Sequence, residues 1–520
     1  MQPTGGPADA LRAEEAGLLA CVHCGFCLNA CPTYTRLGHE GDSPRGRLDL
    51  MRAVVEGRLD ADDPSFRTHI DRCLGCRACE PVCPSGVPYG FLLERARAAT
   101  AGAAGIPWST RLLIATFTGP LRGVAGAAAR LLRATGLPRL LARWLPARLA
   151  LPRFAMAMLA ASAPWPGLAA GRRTTSPGTR RRLGELGSGP PAVPPTAPPP
   201  ARPAATAATL SAGAPQPVGA RTADGPGGAA DDVASDPERG YAAPHALEGA
   251  YPAATAASAA GAPVAVGSAD HDARQKVALL EGCVQHTLFT RVNAATARVL
   301  TANGCELATA PGQRCCGALD AHAGRLKHAL ELARTNIAAF EAAGADVVVV
   351  NAAGCGAMMK EYGEQLRHDD EWAERAAAFS ARVRDVNEFL AARSLRRGAP
   401  LPVRVTYDAP CHLLHAQRIR DAPLRLLDGI PGLERVPLPD SDECCGGAGL
   451  YGVQHPELGG RILADKVAAI RATGADVVVT PNPGCMMQIG AGLLLHGVDT
   501  AVVHPLELLD ESYSREGEGT

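Results

Sequence analysis

The chain has 520 residues with 52 basic and 52 acidic side chains, so its formal net charge is zero, and that balance gives no reason to expect nucleic acid as a partner. The length suits about two to four folded units of roughly 100–200 residues each. Seventeen cysteines gathered beside Gly and Pro, in a chain too long for a small secreted scaffold, exclude a simple disulfide framework and point to metal in a reducing compartment.

From the start of the chain, Met1 to Ala20 carries Asp9, Glu14 and Glu15 and no basic start followed by an apolar run. No signal peptide is read there, and a cytoplasmic location is expected. Residues 10–97 form a cysteine-rich unit. Cys21, Cys24, Cys27 and Cys31 before Pro32 spell C-x2-C-x2-C-x3-C-P, and Cys73, Cys76, Cys79 and Cys83 before Pro84 repeat it. This is the run of bacterial two-cluster ferredoxins, in which three closely spaced thiolates wrap one cubane and the fourth reaches across to the other. Cluster 1 is therefore assigned to Cys21, Cys24, Cys27 and Cys83, and cluster 2 to Cys73, Cys76, Cys79 and Cys31. Structural zinc favours two C-x2-C pairs around a longer loop, which two complete copies of this run do not resemble. Gly25, Gly75 and Gly86 suit loops that approach a cluster closely, and ordinary turns equally.

Residues 98–184 contain no Asp or Glu but thirteen arginines among Leu, Ala, Trp and Phe. The uncharged run from Phe154 to Gly171 is near the lower length of a spanning helix, yet Pro164 and Pro166 interrupt it. Arg111, Arg122, Arg130, Arg133, Arg139, Arg143, Arg148 and Arg153 fit helices lying on an anionic membrane or a partner subunit. The alternative is helical packing against the ferredoxin-type domain with a solvated arginine face. Residues 185–274, rich in Ala, Pro and Gly, hold too little apolar surface for a core and read as a disordered linker.

Beyond Gln275 an internal repeat appears. Gly344 to Cys355 reads GADVVVVNAAGC and Gly474 to Cys485 reads GADVVVTPNPGC. Cys283 and the pair Cys315–Cys316 recur as Cys411 and Cys444–Cys445, each pair followed by glycine. The repeats are placed at 275–395 and 400–507. Val347–Val350 and Val477–Val479 read as strands buried on both faces, and 325–343 and 458–472 as helices, which together make a parallel α/β sheet. Cys355 and Cys485 then lie just past strand carboxyl ends, where open α/β sheets hold ligands. Cys283, Cys315, Cys316 and Cys355 form one candidate metal site; Cys411, Cys444, Cys445 and Cys485 form the other, for a further iron–sulfur centre or zinc. Cys305 has no counterpart and reads as core. His286, His412 and His415 read as hydrogen-bond donors rather than ligands. Gly447, Gly449 and Gly452 match G-x-G-x-x-G, but no strand precedes them and no dinucleotide site is assigned. The fold expected is α+β overall: a helical two-[4Fe-4S] ferredoxin-type domain, then two tandem α/β cysteine-rich repeats.

The motifs CVHCGFCLNACPTY, SPRGRLDLM and CLGCRACEPVCPSGVPYG, with the two CCG repeats, resemble the iron–sulfur subunit of glycolate oxidase over residues 15–165 and 275–507. The resemblance implies a subunit of a glycolate dehydrogenase using an acceptor other than oxygen. It would relay electrons from FAD-bearing flavoprotein subunits, which oxidise glycolate or lactate, to a quinone or other acceptor, peripheral on the inner face of the cell membrane. The isolated chain is expected to lack catalysis, and no catalytic residue is assigned. The repeats also resemble the cysteine-rich subunit of heterodisulfide reductase, and the modules resemble subunits of anaerobic glycerol-3-phosphate dehydrogenase and lactate-utilisation complexes. In the heterodisulfide reductase family each repeat ends in C-x2-C, whereas here Cys355 is followed by Gly356, Ala357 and Met358 and Cys485 by Met486, Met487 and Gln488.

Overall fold

The computed structural model describes residues 6, 8–119, 122–165 and 275–516. The linker reading at 185–274 falls outside them.

Two capped helices frame the N-terminal domain. In Pro44–Val55, proline occupies the first turn, where no backbone donor is needed, and the Ser43 hydroxyl accepts from Gly46 N at 2.9 Å. Pro64–Asp71 begins the same way, with Asp63 accepting from Ser65 N and Phe66 N. These helices and Tyr89–Ala104 bury Leu48, Met51, Phe66, Ile70, Leu92 and Leu93 in a small core with Cys73 and Cys79 at its margin. No strand occurs among the described residues before Lys276.

Each repeat is a four-stranded sheet paired only in parallel. The first has the order β2-β1-β3-β4, with β1 Lys276–Leu279, β2 Glu306–Ala308, β3 Val347–Val350 and β4 Val383–Asp385. The second has the order β6-β5-β7-β8, with β5 Arg404–Tyr407, β6 Glu434–Val436, β7 Val477–Val479 and β8 Ala501–Val503. The register is equivalent, Val277 opposite Val347 and Val405 opposite Val477. β3 and β7 are valine runs because both faces are covered. The long helices span Leu326–Ala342 and Pro456–Thr473. One core joins the repeats, with Val277, Val349, Phe389 and Leu390 packed with Val405, Tyr407, Val477 and Leu506. The last helix, Pro505–Glu516, runs past the 507 boundary and ties back to repeat 1 through Arg291–Glu507 at 2.7 Å and Arg298–Asp510 at 2.6 Å.

The arginine-rich segment forms helices Trp108–Thr118, Arg122–Ala134, Leu137–Trp144 and Ala150–Ala161. The expected alternative of packing on the ferredoxin-type domain is corrected: the last of these helices lies against Pro483–Leu495 of repeat 2. Phe154 and Met158 join the Met486 and Ile489 core there, and Ala157 meets Ala491. The small residues Ala157, Gly490 and Ala491 let the two backbones approach, since a Cβ at Gly490 would lie 2.6 Å from that of Ala161. No single described helix is long and apolar enough to cross a membrane.

Candidate metal centres

The two ferredoxin-type loops wrap alike. His23 and Gly25 take φ of 53° and 83°, and Gly75 and Arg77 take 67° and 63°. These are equivalent positions on either side of the middle cysteine, so both loops turn left-handed twice to aim three thiols at one point. One cavity is lined by Cys21, Cys24, Cys27 and Cys83, with Cys79 and Tyr89 on its wall. A second is lined by Cys31, Cys73, Cys76 and Cys79, again with Tyr89. The structure thus brings together each quartet proposed from the spacing, including the crossed pair Cys31 and Cys83. The first cavity opens outward, with Cys24, Val22 and Phe26 exposed, whereas Cys31, Cys73 and Cys79 are buried.

In each repeat the four thiols also converge, for a topological reason. Strand order reverses between β1 and β3, and between β5 and β7, opening a crevice at the carboxyl ends of those strands. Cys283 and Cys411 follow the first strand of each pair; Cys355 and Cys485 follow the second, in the opening turn of the next helix. The Cys-Cys-Gly loops close the crevice from the side. Their glycines are required there: Gly317 and Gly446 have φ of 90° and 78°, and a Cβ would lie 3.0 Å from Ala329 O and 2.6 Å from Gly459 O. In repeat 1, Cys315 Sγ is 3.4 Å from Cys283 Sγ, and Cys355 acts on the Cys316 thiol, helping to raise it. In repeat 2, Cys445 Sγ is 3.4 Å from Cys485 Sγ, Asn482 Nδ2 donates to Cys485 Sγ at 3.3 Å, and Cys411 and Cys444 border one apolar cluster.

This donor set fits a metal centre. Burial pushes Cys76 and Cys79 well above the ordinary thiol range, and nearby thiols add to it. Cys444, Cys445 and Cys485 are driven up first by hydrogen bonds to a neighbouring thiol and then by burial. Such crowding penalises bare thiolates, and a bound cation removes the penalty. Cys305 lies buried in the core shared by the repeats, away from both quartets.

The repeats differ in what surrounds these quartets. Leu74, two residues before Cys76, packs into one apolar cluster with Cys444, Tyr451 and Ile462, which Cys76 and Cys411 flank. His412 Nε2 lies 3.1 Å from Gly75 O, and Tyr451 donates to Arg72 O at 2.9 Å. Burial, then Arg77, pull His412 down to about 4, so a neutral imidazole donates to that loop carbonyl. Both repeats also meet the N-terminal domain through charged groups: in repeat 1, Arg77 pairs with Glu361, Arg95 with Gln365 at 2.6 Å, and Arg367 with Glu14 at 2.6 Å; in repeat 2, Asp465 pairs with Arg36 at 2.7 Å. A cavity between that domain and the repeats is walled by Gly75, Glu94, His322, Gly354 and His412. His286, by contrast, is exposed beside Glu281 at 3.2 Å.

Sequence reasoning missed the buried charges behind these sites. Asp408 and Lys466, each about 2% exposed, pair at 3.1 Å behind Cys445. Arg47 and Asp42 are fully buried beside Cys31. Arg47 falls within the SPRGRLDLM motif, the one signal that could have marked it.

A family model for the 4Fe-4S dicluster domain matches residues 17–87, and one for a cysteine-rich domain matches twice, at 277–360 and 405–490. Fold and thiol sites therefore define an iron–sulfur protein with a two-cluster domain ahead of paired cysteine-rich repeats. The chain is 33% identical over 507 residues to a probable glycolate oxidase iron–sulfur subunit of Bacillus subtilis, covering 96% of this chain and 95% of that one. It is 30% identical over 518 residues to the glycolate oxidase iron–sulfur subunit of Escherichia coli, covering 98% and 97%. Lactate utilization protein A of Geobacillus thermodenitrificans is 35% identical over 237 residues, 45% of this chain and 98% of that protein. The chain belongs to the glycolate oxidase iron–sulfur subunit family.

Proposed function

We propose that this chain is the electron-carrying subunit of a complex in which an FAD-bearing flavoprotein oxidises glycolate, or lactate, and a quinone-type acceptor takes the electrons. When bound, [4Fe-4S] clusters supply one-electron storage at fixed positions. Cys21, Cys24, Cys27 and Cys83 would hold the cluster nearest the surface, where exposed Val22, Phe26 and Val82 offer apolar contact to a redox partner. Cys31, Cys73, Cys76 and Cys79 would hold the second; of the further iron–sulfur centre or zinc expected at the repeats, the repeat 2 quartet beside Cys76 would take the iron–sulfur centre and the repeat 1 quartet zinc. The supporting observation is the apolar cluster that Cys76, Cys411 and Cys444 share. On this reading it gives an electron an apolar route between the second cluster and the repeat 2 site.

The chain itself binds and orients; it is assigned no role in breaking the substrate's C–H bond, and the isolated chain is read as lacking catalysis. A cytoplasmic place on the inner face of the membrane is part of the proposal. Trp108 and Trp144, both more than three-quarters exposed, stand among exposed Arg111, Arg130, Arg139, Arg143 and Arg148, the composition of a helix surface that rests on anionic lipid.

The test is anaerobic mixing of the reconstituted chain with glycolate, followed by low-temperature EPR. Reduced-cluster signals are expected only when the flavoprotein is added. Glycolate turnover by the chain alone would overturn the reading.

A further inference from the structure

Arg47 is the largest fully buried side chain among the described residues, with 0% exposure. A guanidinium is kept ionised inside a protein only where specific partners hold it. Its partners are laid out around one sulfur. Nε donates to His69 O at 2.6 Å, Nη2 to Thr33 Oγ1 at 3.1 Å and to Asp42 Oδ1 at 3.4 Å, and Nη1 reaches Cys31 Sγ at 3.9 Å. Thr33 Oγ1 itself lies 3.2 Å from Cys31 Sγ. A second ligand is bonded from the opposite wall, where Tyr89 OH lies 3.5 Å from Cys73 Sγ.

The other charges nearby do not duplicate this arrangement. Asp42 is shared with Arg72 at 3.3 Å and His69 at 3.0 Å, so its carboxylate is offset by more than Arg47 alone. Arg77, in the loop itself, is committed to Glu80 and Glu361. At cluster 1 the comparable cation is Arg45, whose side chain is 30% exposed and paired with Glu40 at 2.6 Å. Solvent and that carboxylate screen it.

We propose that Arg47 sets the direction of electron flow, raising the reduction potential at the Cys31–Cys73–Cys76–Cys79 site above that at the Cys21–Cys24–Cys27–Cys83 site. This rests on the reading that both quartets hold clusters. One electron arriving at the second site adds one negative charge in a buried, low-dielectric setting. The fixed guanidinium and the Tyr89 hydroxyl stabilise that charge with no rearrangement, while Thr33, whose hydroxyl donates to Asp42 O at 3.0 Å, holds the guanidinium in place. The electron is supplied by the reduced flavin of the partner and leaves to the acceptor. Arg47 neither gains nor loses a proton. The surface site is then the uphill stop and the buried site the downhill one, which directs electrons towards Cys411 and Cys444.

The test is an EPR-monitored redox titration of the whole reconstituted chain, with iron and sulfide measured on every sample. Arg47→Met is expected to move one of the two cluster waves to lower potential and leave the other in place. The equilibrium sharing of an electron between the sites should shift at least tenfold, about 59 mV for a one-electron couple. Arg47→Lys, which keeps the charge, should recover most of it, and Arg45→Met should move neither wave as far. If Arg47→Met does not fold, Thr33→Val removes the hydroxyl that links the guanidinium to Asp42 O beside the sulfur and should give a smaller shift of the same sign. Unchanged waves, or equal movement of both, overturn the proposal. Wild-type protein without two clusters would instead overturn the reading beneath it.

Discussion

The two cysteine-rich repeats share strand order, register and four converging thiols, yet their surroundings diverge. At an offset of 130 residues, Lys466 of repeat 2 stands where repeat 1 has Asn336, and at an offset of 128, Asp408 stands where it has Leu280. Repeat 2 thus carries a buried ion pair behind Cys445 and an apolar seam to Cys76. Repeat 1 carries a neutral amide, Asn336, bonded to Cys315 O at 3.0 Å and Tyr362 OH at 3.2 Å. Both repeats pair with the N-terminal domain through charges, Arg77–Glu361 in repeat 1 and Arg36–Asp465 in repeat 2, so the apolar seam is what sets repeat 2 apart. Duplication supplied two copies of one thiol-lined crevice; the apolar contact with the Cys76 loop distinguishes them. A thiol site beside a cluster can take part in electron transfer, while the other is free to be structural.

The largest effect expected from this contrast is at Lys466. Lys466→Met leaves Asp408 buried without its cation and should cost ~3–5 kcal/mol, read as a lowered midpoint of anaerobic thermal unfolding. Asn336→Leu, at the same place in repeat 1, strands single hydrogen-bonding groups and should cost ~1–3 kcal/mol. Equal losses would remove the distinction.

Next come the glycines of the Cys-Cys-Gly loops. Alanine at either forces a side chain into left-handed backbone, about 1–2 kcal/mol. Gly446→Ala should cost more than Gly317→Ala, because its Cβ would lie 2.6 Å rather than 3.0 Å from a backbone carbonyl. The same unfolding measurement checks the order.

The effect that is smallest over any single pH unit is a pH slope on the repeat 1 side. Burial, then the neighbouring Glu361, raise Glu94 to about 7. The folded chain therefore holds a proton there that the unfolded chain releases near 4.5, and stability should fall as pH rises from about 4.5 to 7, by at most about 1.4 kcal/mol per pH unit. Glu94→Gln should flatten that slope. A slope unchanged in the variant would assign it to other groups.

Much of this architecture is legible in the chain. The eight ferredoxin-type cysteines are local in sequence, and the repeat declares itself in two near-identical strings ending at Cys355 and Cys485. The valine strands can be read because parallel strands covered on both faces have no polar alternation to confuse them. What cannot be read depends on which surfaces meet. Leu74 and Cys444 are separated by most of the chain, including a stretch without any pattern. Lys466 and Arg47 look like ordinary helix charges until burial is known. The arginine-rich helices find a neighbour other than the expected one for the same reason: their small residues fit Gly490 and Ala491, which only the folded repeat 2 presents.

The most direct measurement is an iron, sulfide and zinc assay with low-temperature EPR on wild type, Cys445→Ala and Cys316→Ala. Wild type should carry more than about eight irons, four for each N-terminal cluster and the rest in repeat 2. Cys445→Ala alone should lose iron together with the magnetic broadening of the cluster 2 signal, whereas Cys316→Ala should leave that signal unchanged. About eight irons and one cluster 2 line shape in all three proteins would contradict this, and would confine the electron path to the N-terminal domain.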